Sequence, residues 1–260
     1  MSAAIAVQMV GADLLKLRRR RSTLAWSLLL AVGPLLIYFI VAAAQHSSDP
    51  LAHRPAGGVS GFQDALRIVA VFFGPLAAIL IGVDAGAGDS AAGVFRDLVV
   101  TGRSRLALFA SRVPAAIALT WLVALLAYAL VVLGTFVFAG GSETPSGATI
   151  VNGLGFTLLS TAVICTVAVC FASLTASRPG ALVALIGWQL IASPILTNIS
   201  SLGSARDLVL REAIDHFSPI ELGDRSAHVT MGSGTALLVM VGWLTAFAVL
   251  GAWRTRTMDS

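Results

Sequence analysis

The residues able to do chemistry in this chain of 260 residues are few and widely spaced. Lys16 is its single lysine and GxxxxGK[ST] does not occur, so the sequence has no standard phosphate-binding loop. The four histidines, His46, His53, His216 and His228, match no zinc-ligand spacing. HExxH and GxSxG are also missing, which argues against a membrane protease or esterase. We therefore expect no enzyme, no metal site and no cofactor bound by this chain.

Composition indicates a polytopic membrane protein. The chain is 57% hydrophobic and 12% charged, with a mean hydropathy of +0.89, which leaves too little charge to cover a soluble domain of this length. Six apolar segments are long enough to cross a bilayer as helices, at about residues 24–44, 61–83, 113–139, 151–176, 179–200 and 234–253. The expected fold is all-α, with residues 1–260 forming a single transmembrane domain.

The distribution of basic residues predicts how this domain is oriented. With both termini on one side, that side holds twelve of the 17 lysines and arginines; four fall on the other side and one lies at a span edge. Basic residues accumulate in cytoplasmic loops, so both termini are expected in the cytoplasm. The composition is typical of a bacterial protein, and we expect a multi-pass protein of the bacterial plasma (inner) membrane.

A polar stretch between the second and third spans, from Asp84 to Pro114, interrupts the apolar pattern. Its middle predicts a short amphipathic helix, capped by Asp89 or Ser90 and ending near Gly102. The apolar face of this helix comprises Val94, Phe95, Leu98 and Val99, and the stretch also carries Arg96, Arg103, Arg105 and Arg112. Two interpretations remain: a helix resting on lipid headgroups, or a helix that docks in a groove of another protein.

Two further amphipathic segments are predicted outside the spans. In the segment from Ala3 to Leu17, an apolar stripe faces the membrane, and Asp13 and Lys16 lie toward phosphate headgroups. That stripe comprises Val7, Val10, Leu14 and Leu17. On the opposite side of the membrane, Ser204 to Phe217 is expected to form one continuous helix. Its polar face carries Asp207, Arg211 and Asp215 at four-residue intervals, and its apolar face carries Leu210, Ala213, Ile214 and Phe217.

The centres of the predicted spans contain only neutral polar groups and no carboxylate or histidine, whereas Asp64 and Arg67 lie at the outer end of the second span. A proton relay or sodium site of the transporter kind therefore lacks its usual residues. Thr166, Gln189 and Asn198 are the candidate pathway-lining residues. The alternative is that they hydrogen-bond between packed helices.

The layout resembles the membrane subunit of type-2 ATP-binding-cassette exporters, the small bacterial permeases that work with a separate ATPase. The resemblance covers the opening GADLLKLRRRRSTLAWSLLLAVGPLLI, the stretch GVDAGAGDSAAGVFRDLVVTGRSRLALFASRVP, and FSPIEL after the outer amphipathic segment. It identifies the middle stretch as a coupling region that contacts the ATPase, with Asp89, Gly93, Val94, Phe95, Arg96, Leu98, Val99, Gly102, Arg103 and Arg105 as contact residues.

That resemblance implies a permease subunit exporting a hydrophobic or amphipathic compound such as a drug, antibiotic or peptide, with a link to multidrug or antibiotic resistance. The implied partners are an ATPase subunit that binds ATP and Mg²⁺, a second copy of the permease or a sister permease, and membrane lipid. No basic stripe interleaved with aromatics is present, so nucleic acid is not expected as a partner. The alternative function is a non-transporting membrane anchor or sensor that recruits a cytoplasmic protein.

Overall fold

The computed structural model describes residues 3–91, 104–220 and 231–257. Within these ranges all regular secondary structure is helical. Six helices there are long and apolar enough to cross a membrane, at Arg21–Ser48, Gly58–Asp89, Arg105–Val137, Gly147–Thr175, Arg178–Asn198 and Ser233–Thr257. Each overlaps one of the six apolar segments read from the sequence, so the predicted all-α fold with six candidate spans is confirmed.

The described residues form α-helices joined by π-helical and 3-10 segments and by connections without regular structure. In chain order they are α1 (Ala3–Arg19), α2 (Arg21–Ser48), α3 (Gly58–Leu66), a first π-helical segment (Arg67–Phe73), α4 (Gly74–Ala91), α5 (Arg105–Val137), α6 (Gly147–Thr175), α7 (Arg178–Gly187), a second π-helical segment (Trp188–Ala192), α8 (Ser193–Asn198), a 3-10 segment (Ser200–Leu208), α9 (Leu210–Asp215) and α10 (Ser233–Thr257). The chain from α3 through α4 is one continuous span, and α7 through α8 is another.

Serine caps fix the start of three long helices. The hydroxyl oxygens of Ser104, Ser146 and Ser177 accept hydrogen bonds from backbone N–H groups in the first turns of α5, α6 and α7. Each cap satisfies a donor that the helix itself leaves unpaired. The caps therefore place the ends of these helices independently of their apolar composition.

The centre of the bundle is the contact between α4 and α6. In the most apolar 18-residue stretch of the α3–α4 span, 72% of the residues are buried, against 17% in α10 and 22% in α2. A Cβ atom added at Gly82 would lie 2.7 Å from the carbonyl oxygen of Cys165, and one at Gly86 would lie 2.3 Å from that of Val169. Two glycines four residues apart thus let the backbones touch, as in other closely packed membrane helices.

The first π-helical segment is stabilised by a hydrogen bond from α6. A π-helical turn changes the intrahelical hydrogen-bond pattern, and such turns occur mostly as single insertions in α-helices. The hydroxyl of Ser160 donates to the carbonyl oxygen of Ala70 at 2.9 Å, with both groups buried. The side chain of α6 therefore satisfies a backbone acceptor inside this irregular turn.

One end of the bundle collects most of the basic residues of the described ranges, including Arg18, Arg19, Arg254 and Arg256. There α1 ends, α2 begins, α4 ends, α5 and α7 begin, and α10 ends. Nη1 of Arg105 in the first turn of α5 donates to the carbonyl oxygen of Arg256 near the end of α10, at 3.4 Å. We call this region the basic end.

The prediction of one continuous helix from Ser204 to Phe217 is wrong. A 3-10 segment reaches Leu208, Val209 is extended with φ −72° and ψ 121°, and α9 then starts at Leu210. The break is held because the indole N–H of Trp243 donates to the carbonyl oxygen of Leu208 at 2.8 Å. The predicted pairing of Arg211 with Asp215 is confirmed at 3.4 Å, and Leu210, Ala213 and Ile214 are buried as expected.

Candidate functional site: a buried charge cluster at the basic end

Two buried carboxylates, Asp84 and Asp89, lie in the last turns of α4. They are 2% and 3% exposed. The predicted end of this span at Val83 is wrong, because the helix continues through both aspartates to Ala91. The small residues of DAGAGDSA let α4 continue to Ala91 while it stays packed against its neighbours.

Asp89 joins three helices. Its Oδ1 pairs with Nζ of Lys16 on α1, and its Oδ2 lies 3.1 Å from Nη2 of Arg112 on α5. Arg112 is itself only 4% exposed, and its Nη1 donates to the carbonyl oxygen of Gly86 at 3.1 Å. A buried guanidinium held by both a carboxylate and a backbone carbonyl keeps α5 in register with α4.

Asp84 joins α4 to a different set of elements. Its Oδ2 accepts a hydrogen bond from the hydroxyl of Thr23 on α2, and its Oδ1 pairs with Nε of Arg178 at the start of α7. Nη1 of Arg20, between α1 and α2, lies 3.9 Å from the same Oδ1 and donates to the backbone oxygen of Asp84 at 3.3 Å. A Cβ on Gly88 would lie 2.2 Å from this Nη1, so glycine makes room for the guanidinium.

The charge cluster therefore consists of Lys16, Arg20, Asp84, Asp89, Arg112 and Arg178. Four cations surround two carboxylates, so its formal charge is positive and the excess lies on the more exposed Lys16, Arg20 and Arg178. Removing one partner of a buried ion pair costs about 3–5 kcal/mol, because the other charge is left in a poorly solvating environment. The cluster thus forms a joint between α4 and α1, α5 and α7, and the hydrogen bond from Thr23 adds α2.

Several predictions about this region need correction. Asp89 does not cap a new helix, because it lies inside α4 and its carboxylate is occupied by Lys16 and Arg112. Lys16 and Asp13 point toward the protein instead of phosphate headgroups, since Asp13 accepts a hydrogen bond from Ser111 at 2.6 Å. The apolar stripe of α1 packs on the core through Val10, Leu14 and Leu17, whereas Val7 is 71% exposed.

The predicted coupling helix lies almost wholly outside the described residues. This applies to Gly93, Val94, Phe95, Arg96, Leu98, Val99, Gly102 and Arg103, whose role stays a prediction. The structure describes the two roots of this segment, namely α4 up to Ala91 and α5 from Arg105 onward. Both roots are tied into the bundle, the first through Asp84 and Asp89 and the second through Arg105 and Arg112.

The three candidate pathway residues do not come together. Gln189 is buried and lines a mostly apolar cavity of about 280 Å³ between α4, α6, α7, α9 and α10. Thr166 donates to Ala162 of its own helix at 2.8 Å, and the amide of the exposed Asn198 donates to Pro194 at 2.7 Å. Neither residue lines this cavity, and the pathway role of all three stays a prediction.

The charge cluster was missed because its members are far apart in the sequence. Thr23 and Asp84 are separated by 61 positions, and Asp89 and Arg112 by 23. The one available indication was two aspartates separated only by alanine and glycine, directly after an apolar span. Such small residues predict that a helix continues in close contact with its neighbours.

No protein-family model matches this chain, and no curated protein is significantly similar to it.

Proposed function

We propose that this chain is the permease subunit of an ATP-binding-cassette transporter that exports a hydrophobic or amphipathic compound, with a separate ATPase subunit as the energy source. The observation that supports the proposal best is the charge cluster at both roots of segment 92–103. A segment that receives mechanical work must be firmly joined to the elements that it moves. The cluster provides such a joint next to the stretch that resembles a coupling region.

The joint transmits displacement because breaking it is costly. A push on segment 92–103 reaches α4 at Asp89 and α5 at Arg112, which are paired with each other. Through Asp84 the same displacement reaches α2 and α7. The Asp89–Arg112 pair is buried on both sides, so breaking it costs about 3–5 kcal/mol and the separated state has a population more than about 100 times smaller. These two helices therefore move together, with α2 and α7 attached through the weaker contacts of Asp84 with Thr23 and the more exposed Arg178.

The basic end faces the cytoplasm in this proposal, as the distribution of arginines favours. The ATPase, which carries ATP and Mg²⁺, then contacts segment 92–103 from the cytoplasmic side. A second copy of this chain or a sister permease completes the pathway, and the assembly sits in the bacterial plasma membrane with both termini inside. This chain binds no cofactor itself and catalyses no reaction.

The proposal is tested by purifying the chain together with the ATPase encoded beside it. Leu98→Asp places a charge on the predicted apolar face of the coupling helix, and Val100→Asp places the same charge about 200° around it. We expect Leu98→Asp to abolish co-purification and permease-dependent ATP hydrolysis, and Val100→Asp to preserve both. Equal behaviour of the two variants would contradict the coupling assignment. Specific capture of a soluble protein that has no phosphate-binding loop would favour the anchor or sensor instead.

A further inference from the structure

The cavity that Gln189 lines has one wall made of aromatic rings. Trp188 and Trp243 have ring centroids 5.7 Å apart, Trp243 and Phe247 stack at 5.6 Å, and Phe171 meets Phe247 edge to face at 5.9 Å. All four residues line the cavity, and we call them the aromatic wall. The volume of about 280 Å³ lies near the lower limit of small-molecule sites, which start at about 300 Å³.

Arg211, which is 7% exposed, also lines this cavity. Its Nη1 donates to the carbonyl oxygen of Gln189 in the second π-helical segment at 3.4 Å. Its guanidinium carbon lies 5.6 Å from the ring centre of Phe72 in the first π-helical segment. Both irregular turns thus meet at one buried cation, and π-helical turns are frequent at functional sites.

The charge and the hydrogen bonds of Arg211 limit what it can bind. Nε of Arg211 is 3.4 Å from Oδ2 of Asp215, so the positive charge already has its counter-ion. A ligand carboxylate would lie close to Asp215 and would be repelled. Among residues 3–91, 104–220 and 231–257, no group accepts a hydrogen bond from Nη2 of Arg211. Arg211 lines the cavity, where a guanidinium N–H can donate to an acceptor on a ligand.

We infer that this cavity binds an uncharged aromatic molecule that carries a hydrogen-bond acceptor such as a ketone or amide carbonyl. The rings of the ligand pack against the aromatic wall, and its acceptor receives a hydrogen bond from Arg211. Aromatic rings attract one another beyond the effect of the area they bury, which favours a ligand with rings over a saturated chain of equal size. The inference rests on the proposed function only in that it names the class of compound exported; binding itself needs no ATPase.

The test uses benzophenone, an uncharged diaryl ketone that crosslinks to nearby C–H bonds on illumination. The purified full chain in lipid nanodiscs is labelled without the ATPase, and crosslinked peptides are quantified by mass spectrometry. Labelling of the exposed face of α2, around Trp26 and Ile37, reports the local concentration of probe in the lipid. We expect saturable labelling of Trp188–Ala192 and of the α10 segment around Trp243, above the non-saturable labelling of α2.

Competition then separates ligand classes. 2-Acetylnaphthalene, an uncharged ketone, should displace the label at least about fivefold better than 2-naphthoate, which has the same rings and a carboxylate. Equal competition by the two compounds, or better competition by a saturated long-chain alcohol, would overturn the inference, the latter because it identifies a groove for lipid tails.

Two alanine substitutions provide a matched pair of variants. Ala184 lines the cavity from an exposed position, whereas the exposed Ala246 on α10 does not line it. Ala184→Phe should remove the saturable labelling, and Ala246→Phe should leave it unchanged. Retained labelling in Ala184→Phe would overturn the inference. Loss of ATPase capture with intact labelling would instead remove the proposed function alone.

Discussion

Oδ2 of Asp89 on α4 and Nη2 of Arg112 on α5 lie 3.1 Å apart, and the two residues stand on either side of segment 92–103. Together with the hydrogen bond from Arg112 to the carbonyl oxygen of Gly86, the pair holds the two ends of this segment next to each other. Both side chains are almost fully buried, so neither charge has water as an alternative partner. This contact connects the predicted coupling segment with the packing of the whole bundle.

Neutralising Asp89 should destabilise the protein. In Asp89→Asn, the buried guanidinium of Arg112 no longer has the charged carboxylate of Asp89 beside it, which we expect to cost about 3 kcal/mol. For a chain of this size that corresponds to a decrease of roughly 5–10 °C in the apparent melting temperature in detergent. Glu143→Gln, which makes the same chemical change at an exposed position, should leave the melting temperature unchanged. Equal melting temperatures for Asp89→Asn and the natural chain would show that the cluster is not a stabilising joint.

A methyl group at Gly86 should force α4 away from α6. The new Cβ would lie 2.3 Å from the carbonyl oxygen of Val169, and overpacking of this kind costs about 1–3 kcal/mol. We expect Gly86→Ala to lower the melting temperature and to loosen the basic end. Gly242→Ala is the matched control, because its Cβ meets nothing within 4 Å and alanine favours helix. A Gly86→Ala protein as stable as Gly242→Ala would contradict direct backbone contact between the two helices.

The hydroxyl of Ser160 should protect the first π-helical segment. Ser160→Ala leaves the buried carbonyl oxygen of Ala70 without this donor, a loss of about 0.5–1.5 kcal/mol. Amide hydrogen exchange within Arg67–Phe73 should become faster, whereas exchange elsewhere in α4 changes little. In Thr166→Val the lost hydrogen bond lies within α6, so the π-helical segment should be unaffected. Faster exchange in both variants, or in neither, would argue against a specific contribution from Ser160.

The orientation of the chain is testable with single cysteines and a membrane-impermeant maleimide in intact cells. Cys165 and Cys170 are 0% and 1% exposed, so the natural cysteines should react little. We expect Leu51→Cys and Gly141→Cys to be labelled from outside, and Thr257→Cys to be labelled only after permeabilisation, because the proposed topology places the basic end in the cytoplasm. Labelling of Thr257→Cys in intact cells would reverse the proposed topology and place segment 92–103 out of reach of an ATPase.

Local spacing was enough to predict one detail of the segment before α10. Arg211 and Asp215 are four residues apart, which places their side chains on the same face of any α-helix, and the structure shows them paired. The same spacing gave no information about the break at Val209. That break depends on a hydrogen bond from Trp243, a residue of another helix.

The sequence by itself determined the class of fold and the approximate positions of six helices, because the free energy of placing apolar side chains depends on local composition and length. It did not determine that α4 continues past Val83. From composition alone, a predicted apolar segment ends at its first charged residue. In the structure Asp84 and Asp89 are nevertheless buried, because Thr23, Arg112 and Arg178 of other helices pair with them. Only the tertiary structure brings those partners within hydrogen-bonding distance, since the free energy of a buried charge depends on its neighbours in space.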